Sequence, residues 1–344
     1  MGLKVAVVGA TGAVGTEMLR ILEARSFPVD ELVPLASARS AGRTIPFGGG
    51  EVAIRELSLE ALRGADLSLS AAGASIARGF VREAAAAGTV CIDKSSAFRM
   101  EPDVPLVVPE VNPDALVGSP KVIAVPNCTT IVAMMALAPL HRAAGLRSLV
   151  LSSYQAVSGA GRDGTRELAE QVEKLHDQVE ELGRPDIDAL PVGDVFGKTM
   201  AFNVLPKIDS FAQDGSTGEE TKTVNESRKI LGIPDLDVAA TCVRVPVPVG
   251  HSVSLLARFS RSITPEEARS LLEGTPGIEL RDDPANGVYP SPLEAAGRDE
   301  VLVGRIRQAP DHDDALLLFA CGDNLRKGAA LNGIQIAEHL FSTT

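Results

Sequence analysis

Val5-Ala6-Val7-Val8-Gly9-Ala10-Thr11-Gly12-Ala13-Val14-Gly15 decides the fold of the first part of the chain. Val5–Val8 reads as a buried strand, and Glu17–Ala24 reads as a helix. Between them glycines recur every third residue. A strand, a glycine-rich turn and a helix in that order meet the physical needs of a dinucleotide pyrophosphate. The glycines let the backbone turn tightly and approach the phosphates, and the helix N-terminus offers free N–H groups with partial positive charge. The spacing is G-x-x-G-x-x-G rather than the commoner G-x-G-x-x-G. Either pattern alone is weak, and a glycine-rich turn with no ligand is the competing reading.

Working outward, Leu32–Leu35, Leu67–Ala71, Val90–Ile92 and Val122–Val125 are further short apolar strands separated by helical stretches. Alternation of this kind predicts a parallel sheet covered by helices, a Rossmann-like α/β domain. An NAD site usually carries Asp or Glu at the end of the second strand, to hold the ribose hydroxyls. Here that strand runs into Ser37-Ala38-Arg39-Ser40. A guanidinium binds a 2′-phosphate by a planar fork, so Arg39 and its flanking hydroxyls point to NADP. By itself Arg39 could equally be a solvated loop arginine.

At roughly 150 residues per domain, 344 residues imply two domains. After residue 150 strands cluster with fewer helices between them. Cys128–Ala144, Arg162–Leu182, Thr217–Leu231 and Leu325–Leu340 read as helical. Ser148–Ala156, 240–257, Val301–Arg307 and Ala315–Cys321 read as extended. This predicts an α+β catalytic and dimerisation domain with a mostly antiparallel sheet. The expected division is 1–127 plus 325–344 for the dinucleotide, and 128–324 for catalysis and dimerisation. Gly48–Gly50 is only a turn.

The net charge is −12, so nucleic acid is not an expected partner, since gripping a phosphate backbone takes a surplus of Lys and Arg. A small anion remains compatible, because a local cluster of cations binds one inside an acidic protein. The four cysteines, Cys91, Cys128, Cys242 and Cys321, fit neither metal spacing nor a disulfide framework. Free thiols, no signal-peptide pattern and no apolar run near the ~20 residues of a membrane span predict a cytoplasmic protein without membrane or metal partners.

Cys128 differs from the other three. Pro126-Asn127-Cys128-Thr129-Thr130 lies between a strand and an apolar helix, so the sulfur sits at a helix N-terminus. There the helix dipole favours thiolate and lowers the pKa from about 8.5, and the thiolate is the nucleophile. Cys91, Cys242 and Cys321 fit buried packing, the common fate of a free cysteine. Among the histidines, His141, His176 and His339 lie on helices and His312 in an acidic turn. His251 follows Arg244-Val-Pro-Val-Pro-Val-Gly, an extended path that presents Arg244 and His251 towards a cleft. Glu219 and Lys222, three apart, share a helix face. With Glu226 and Lys229 that face reads equally as a solvated ion-pair stripe, and Ser216-x-x-Glu219 as a capping box. Arg99 alone reads as an ordinary loop arginine.

Ordered matches along the whole chain resemble the aspartate-semialdehyde dehydrogenases. They are the Gly9–Gly15 loop, Ser37–Ser40, Ser95-Ser96-Ala97-Phe98-Arg99, Val108–Asn112, Pro126–Thr130 and Tyr154–Gly161. Ala201–Pro206, Glu219–Lys222, Arg244–His251 and Gly322–Ala330 complete them. The resemblance implies an acyl-thioester at Cys128, general acid/base work by His251 and an orienting amide from Gln155. It implies that Arg244 holds the substrate carboxylate and Glu219 its amino group. Phosphate falls to Arg99, Asn127 and Lys222. NADP falls to Gly9, Thr11, Gly12, Ala13, Val14, Ser37, Arg39, Ser40, Ser158, Gly159 and Asn324. The implied reaction is reversible reductive dephosphorylation of L-aspartyl 4-phosphate, in the biosynthesis of lysine, threonine and methionine, by a homodimer or homotetramer.

Three other readings compete. N-acetyl-glutamyl-phosphate reductase has a substrate with no free amino group, and Glu219 beside Lys222 argues against it. Glyceraldehyde-phosphate dehydrogenase would bring Ser-Cys-Thr-Thr-Asn. A silent NADP-binding paralogue would have lost Cys128, Gln155 or His251, and all three are present.

Overall fold

The N-terminal apolar run becomes β1 (Leu3–Val8), whose last four residues are buried. The computed structural model describes residues 2–341. β2 (Val29–Ala36) is followed by a hairpin of β3 (Thr44–Phe47) and β4 (Gly50–Ala53). Then come β5 (Arg55–Glu56), β6 (Leu67–Ser70), β7 (Val90–Asp93) and β8 (Val122–Ala124). The six strands outside the hairpin form a parallel sheet in the order β5-β2-β1-β6-β7-β8. The sheet starts in its middle and winds outward both ways, and ligands of such sheets bind at the carboxyl ends of the strands where the order reverses. Gly48 and Gly49 turn the hairpin with φ of 63° and 77°, conformations that suit glycine.

The second sheet contains β9 (Leu146–Gln155), β10 (Asp237–Arg244), β11 (His251–Phe259), β12 (Ile278–Leu280), β13 (Val301–Ala309) and β14 (His312–Gly322). Its order is β10-β9-β11-β14-β13-β12. The three inner pairings are antiparallel and the two edge pairings are parallel. The extended run expected over 240–257 is two strands, broken at Pro246 and Pro248, which have no N–H to give a ladder. The helix expected over Arg162–Leu182 ends at Leu175 and continues as short turns at His176–Gln178 and Glu181–Gly183. Gly183 disfavours a helix at the end of the second turn, and Pro185 follows just beyond it.

The helix Cys128–Ala144 joins the two sheets. Every residue from Thr129 to Leu140 is buried, which marks a core helix rather than an amphipathic surface one. Its apolar side chains belong to one continuous core with residues of both sheets. The end of the described chain turns through Arg326–Ala330 into the helix Leu331–Phe341, which lies against β6 and β7 of the first sheet. Cys128 therefore stands at the seam between the halves, beside the carboxyl ends of the parallel strands.

Candidate active site

Cys128 is the first residue of its helix. Asn127 caps that helix, its Oδ1 accepting from the N–H of Thr129 (2.9 Å) and of Thr130 (3.3 Å). Cys128, Gln155, Gly159, Glu219, Arg244 and His251 line one cavity of about 380 Å³. Arg99, Asn127 and Lys222 line the same cavity, so the structure brings together all the residues expected at the reacting end of the substrate. Gly159 is pressed close: a Cβ there would stand 2.8 Å from Arg244 Nη1 and 3.3 Å from His251 Nε2.

Glu219 is the hub. Its Oε1 accepts from Asn127 Nδ2 (2.8 Å) and Gln155 Nε2 (3.0 Å), and its Oε2 accepts from Lys222 Nζ (3.3 Å). Gln155 Nε2 also donates to Thr129 Oγ1. Burial opposes ionisation of Glu219, but Lys222 and the two amides outweigh it and hold the carboxyl below its usual range. The capping box expected at Ser216 and Glu219 forms one residue later. Thr217 N–H donates to Glu220 Oε2 (2.7 Å) and Glu220 N–H to Thr217 Oγ1 (3.4 Å). The cap takes Glu220, whose Oε1 also accepts from the N–H of Cys242 (3.0 Å), and the shift frees Glu219 for the cavity.

The electrostatics of Cys128 differ from the helix-terminus argument. Burial pushes its thiol up and the Glu219 carboxylate adds to that, while Lys94, Arg99 and Arg244 pull it down. The net direction is upward, because removal from water and the Glu219 carboxylate together outweigh the three cations. Burial pushes Cys91, Cys242 and Cys321 up to about 12. Alkylation by iodoacetamide is therefore expected at Cys128 first, with a rate that climbs as pH rises through an inflection above the ~8.5 of free cysteine. An inflection below that value would restore the dipole as the dominant effect.

His251 is wholly buried, and its Nδ1 accepts from the N–H of Ala156 (3.1 Å). A ring nitrogen that accepts from an N–H carries no proton, so the neutral imidazole carries it on Nε2. Nε2 has no hydrogen-bond partner among the described residues. Burial, then Arg244 and Lys94, hold the ring well below its ordinary pKa, so it is neutral at physiological pH. Arg244 donates from Nη1 to Ala156 O (2.7 Å), which fixes one end of its fork.

Behind the cavity the supposed solvated stripe is a buried frame. Glu226 is 1% exposed and accepts from Asn127 N–H (2.6 Å) and Arg99 Nη1 (2.9 Å). Lys229 Nζ donates at 2.8 Å to each of the carbonyls of Arg99, Glu101 and Val104. Glu219, Lys222, Glu226 and Lys229 share one helix face, and that face is pressed against the first domain. The spacing was visible in the sequence; what it faced was not. Arg99 also donates from Nε to Val125 O (3.0 Å) and from Nη2 to Lys94 O (2.7 Å). Lys94, which the sequence did not single out, lines the cavity beside them.

At the glycine loop Gly9 has φ of 80°, and a Cβ at Gly15 would run into the carbonyl of Gly9. Helix Ala13–Ala24 begins at Gly12 with no side-chain cap and no acid in its first turn. Its first N–H groups are thus suited to an anion. Thr11 lines a second cavity with Thr16, Arg20, Arg43 and Arg162. Ser37 and Arg39 stand exposed on the turn after β2, with Ser40 half-buried. Ser158 and Asn324 are buried against each other, Asn324 Nδ2 donating to Ser158 Oγ (2.9 Å) while its Oδ1 accepts from Gly250 N–H (2.9 Å). Asn324 lies behind the cavity wall and steadies the turn that leads into His251.

A dinucleotide-type sheet whose strand ends meet a helix-terminal cysteine defines a nucleotide-linked dehydrogenase of the semialdehyde class. Residues 4–119 match the family model for the semialdehyde dehydrogenase NAD binding domain, and residues 137–327 that for its dimerisation domain. The aspartate-semialdehyde dehydrogenase of Bacillus subtilis (strain 168) is 46% identical, over 98% of this chain and 97% of its own. The solved aspartate semialdehyde dehydrogenase II of Vibrio cholerae, complexed with ASA, is 41% identical with a TM-score of 0.92 over 99% of both chains. The Candida albicans aspartate semialdehyde dehydrogenase with NADP is 25% identical, with a TM-score of 0.75 over 99% of this chain and 98% of its own. The chain belongs to the aspartate-semialdehyde dehydrogenase family.

Proposed function

We propose that this chain reduces L-aspartyl 4-phosphate to L-aspartate 4-semialdehyde and phosphate, reversibly, with NADPH and through a thioester on Cys128. The observation that carries this reading is the single cavity shared by Cys128, His251, Arg244 and Glu219. Arg244 offers the free part of its fork to the α-carboxylate, and Glu219, held ionised, takes the α-ammonium. These two contacts fix the far end of a four-carbon substrate and bring its C4 to the sulfur. An N-acetylated substrate has no cation to give Glu219, which argues against the glutamyl alternative.

The thiolate of Cys128 attacks C4, the C–O bond to phosphate breaks, and a thioester remains on the enzyme. Arg99, Asn127 and Lys222 are the proposed partners of the departing phosphate. His251 presents its Nε2–H to the carbonyl oxygen, where negative charge develops at each addition step. In its resting tautomer the ring is a donor and not a base for the thiol. Binding of the substrate ammonium neutralises Glu219, one of the two causes that hold the thiol up. Gln155, anchored by Glu219 and Thr129, orients the acyl group.

The glycine loop fits a dinucleotide, because Gly9 and Gly15 let the turn pack tightly on its own backbone and the helix behind them carries no acid in its first turn. Bound NADPH supplies the hydride that reduces the thioester. Thr11–Val14 are the proposed pyrophosphate contacts and Ser37, Arg39 and Ser40 those of the 2′-phosphate, with Ser158-Gly159 near the nicotinamide. Residues 1–127 with 325–344 form the proposed dinucleotide domain, and 128–324 the catalytic one. The dimerisation-domain match supports a homodimer or homotetramer. No helix among the described residues is long and apolar enough to cross a membrane, and a cytoplasmic location is the proposed one.

The test is spectrophotometric. With NADP, inorganic phosphate and aspartate semialdehyde, absorbance of the reduced cofactor is expected to rise, and N-acetyl-glutamate semialdehyde is expected to give none. The opposite pattern would reassign the substrate.

A further inference from the structure

Four cations line the cavity around Cys128: Lys94, Arg99, Lys222 and Arg244. Three are already committed. Arg99 gives hydrogen bonds to Val125 O, Glu226 and Lys94 O. Lys222 is paired with Asp209 (2.8 Å) and Glu219 (3.3 Å). Arg244 is tied to Ala156 O. Lys94 alone makes no side-chain hydrogen bond or ion pair among the described residues.

Its placement is nevertheless fixed. Lys94 directly follows β7, at the carboxyl end of the parallel sheet. Its N–H donates to Ser70 O (3.0 Å) and its carbonyl accepts from Arg99 Nη2 (2.7 Å), so the backbone is held on both sides while the side chain faces the cavity. Ser95, Ser96 and Gly73 line the same wall. Lys94 is half-buried, and an ammonium partly withdrawn from water with no protein partner among the described residues is left incompletely solvated. Burial pushes Lys94 down, while Cys128, Asp93 and Glu219 favour its charge and Arg99 opposes it. An arriving dianion would supply the missing counter-charge.

We propose that Lys94 is a further anion-binding residue of this cavity, taking the phosphoryl group of the acyl phosphate, or the inorganic phosphate that attacks the thioester, beside Cys128. The proposal rests on the reaction given above and adds to it the cation that is free to receive the leaving group. Lys94 then joins Arg99 and Lys222, whose side chains also hold Glu226 and Glu219 in place.

The experiment uses the full chain in the phosphorylating direction, with aspartate semialdehyde and NADP saturating and inorganic phosphate varied. Lys94→Gln is expected to raise the KM for phosphate about tenfold to a hundredfold, the worth of one charge-assisted hydrogen bond. The KM values for aldehyde and NADP should stay within about twofold, and Lys94→Arg should recover most of the loss. An unchanged phosphate KM, or a rise in the NADP KM instead, overturns the proposal. A wild-type protein that fails to turn over aspartate semialdehyde would sink the proposed reaction and not this site. In that case protection decides: phosphate should slow iodoacetamide alkylation of wild-type Cys128 and lose that effect in Lys94→Gln. Equal protection of both proteins, or none in the wild type, overturns it.

Discussion

Cys128→Ala is expected to lower turnover by about 10⁴-fold or more while NADP binding and thermal stability stay close to wild type. The substitution removes one atom, the sulfur, and the bond that carries the acyl group. It leaves the Cβ against which Gly328 packs: a Cβ built on Gly328 would stand 2.9 Å from that of Cys128. The cap of the helix is untouched, since Asn127 Oδ1 accepts from the N–H groups of Thr129 and Thr130 rather than from any group of Cys128. The dinucleotide loop Gly9–Gly15 does not line the Cys128 cavity. Rate and cofactor affinity should therefore separate. Initial rates with aldehyde, NADP and phosphate, beside equilibrium dialysis of NADP, read the two. A variant that keeps more than about 1% of wild-type turnover would mean that some other group forms the covalent bond, or that none does.

The second large effect is expected at Glu226. Its carboxylate is buried and holds two donors from elsewhere, Arg99 Nη1 at 2.9 Å and the N–H of Asn127 at 2.6 Å. Glu226→Ala leaves a guanidinium without its counter-charge and an N–H without an acceptor, both inside the protein. Breaking a buried pair from one side costs about 3–5 kcal/mol. A stability loss of that size is expected, read as a lower urea midpoint with unchanged denaturant dependence. Asn127 is also the cap of the cysteine helix and a partner of Glu219. Its loss of anchorage should cost roughly 10²-fold in kcat/KM, the usual effect of misplacing a site by about 1 Å. A midpoint within error of wild type would show that water or a neighbouring side chain replaces Glu226. Glu226→Gln keeps the volume and one acceptor, so it should be the milder of the two.

Both predictions turn on residues whose standing in the sequence was unequal. Cys128 was legible because its neighbours are informative: a polar Asn-Cys-Thr-Thr group between a strand and an apolar helix is a poor setting for inert packing. Glu226 was not legible. Together with Glu219, Lys222 and Lys229 it reads as a salt-bridged surface, and spacing along a helix says which residues share a face but not what that face meets. Here it meets Arg99 and the carbonyls around it, from a segment about 130 positions away. Lys94 was silent for a related reason. A lysine after a strand carries no local signal, and it matters only because three other cations around it are already bonded.

The sequence by itself determined the strand-glycine-helix start, the two-part organisation, the helix Cys128–Ala144 and the cysteine that stands at its start. These follow from period, turn chemistry and residue type over short windows, where neighbours in sequence are neighbours in space. It also located Thr217–Leu231 as a helix, but placed its cap one residue early, because two hydroxyl-acid pairs compete there and only the packing of Glu219 into the cavity selects between them. The tertiary structure decided the electrostatics. A helix terminus favours a thiolate wherever it occurs, yet Cys128 is half-buried in a cavity, and the cost of leaving water is set by everything that surrounds the sulfur. The packing around the cavity fixed His251 as a neutral donor through the N–H of Ala156, just past the end of β9. Charge and proton position are properties of a cavity assembled from distant segments, and no stretch of the chain contains them.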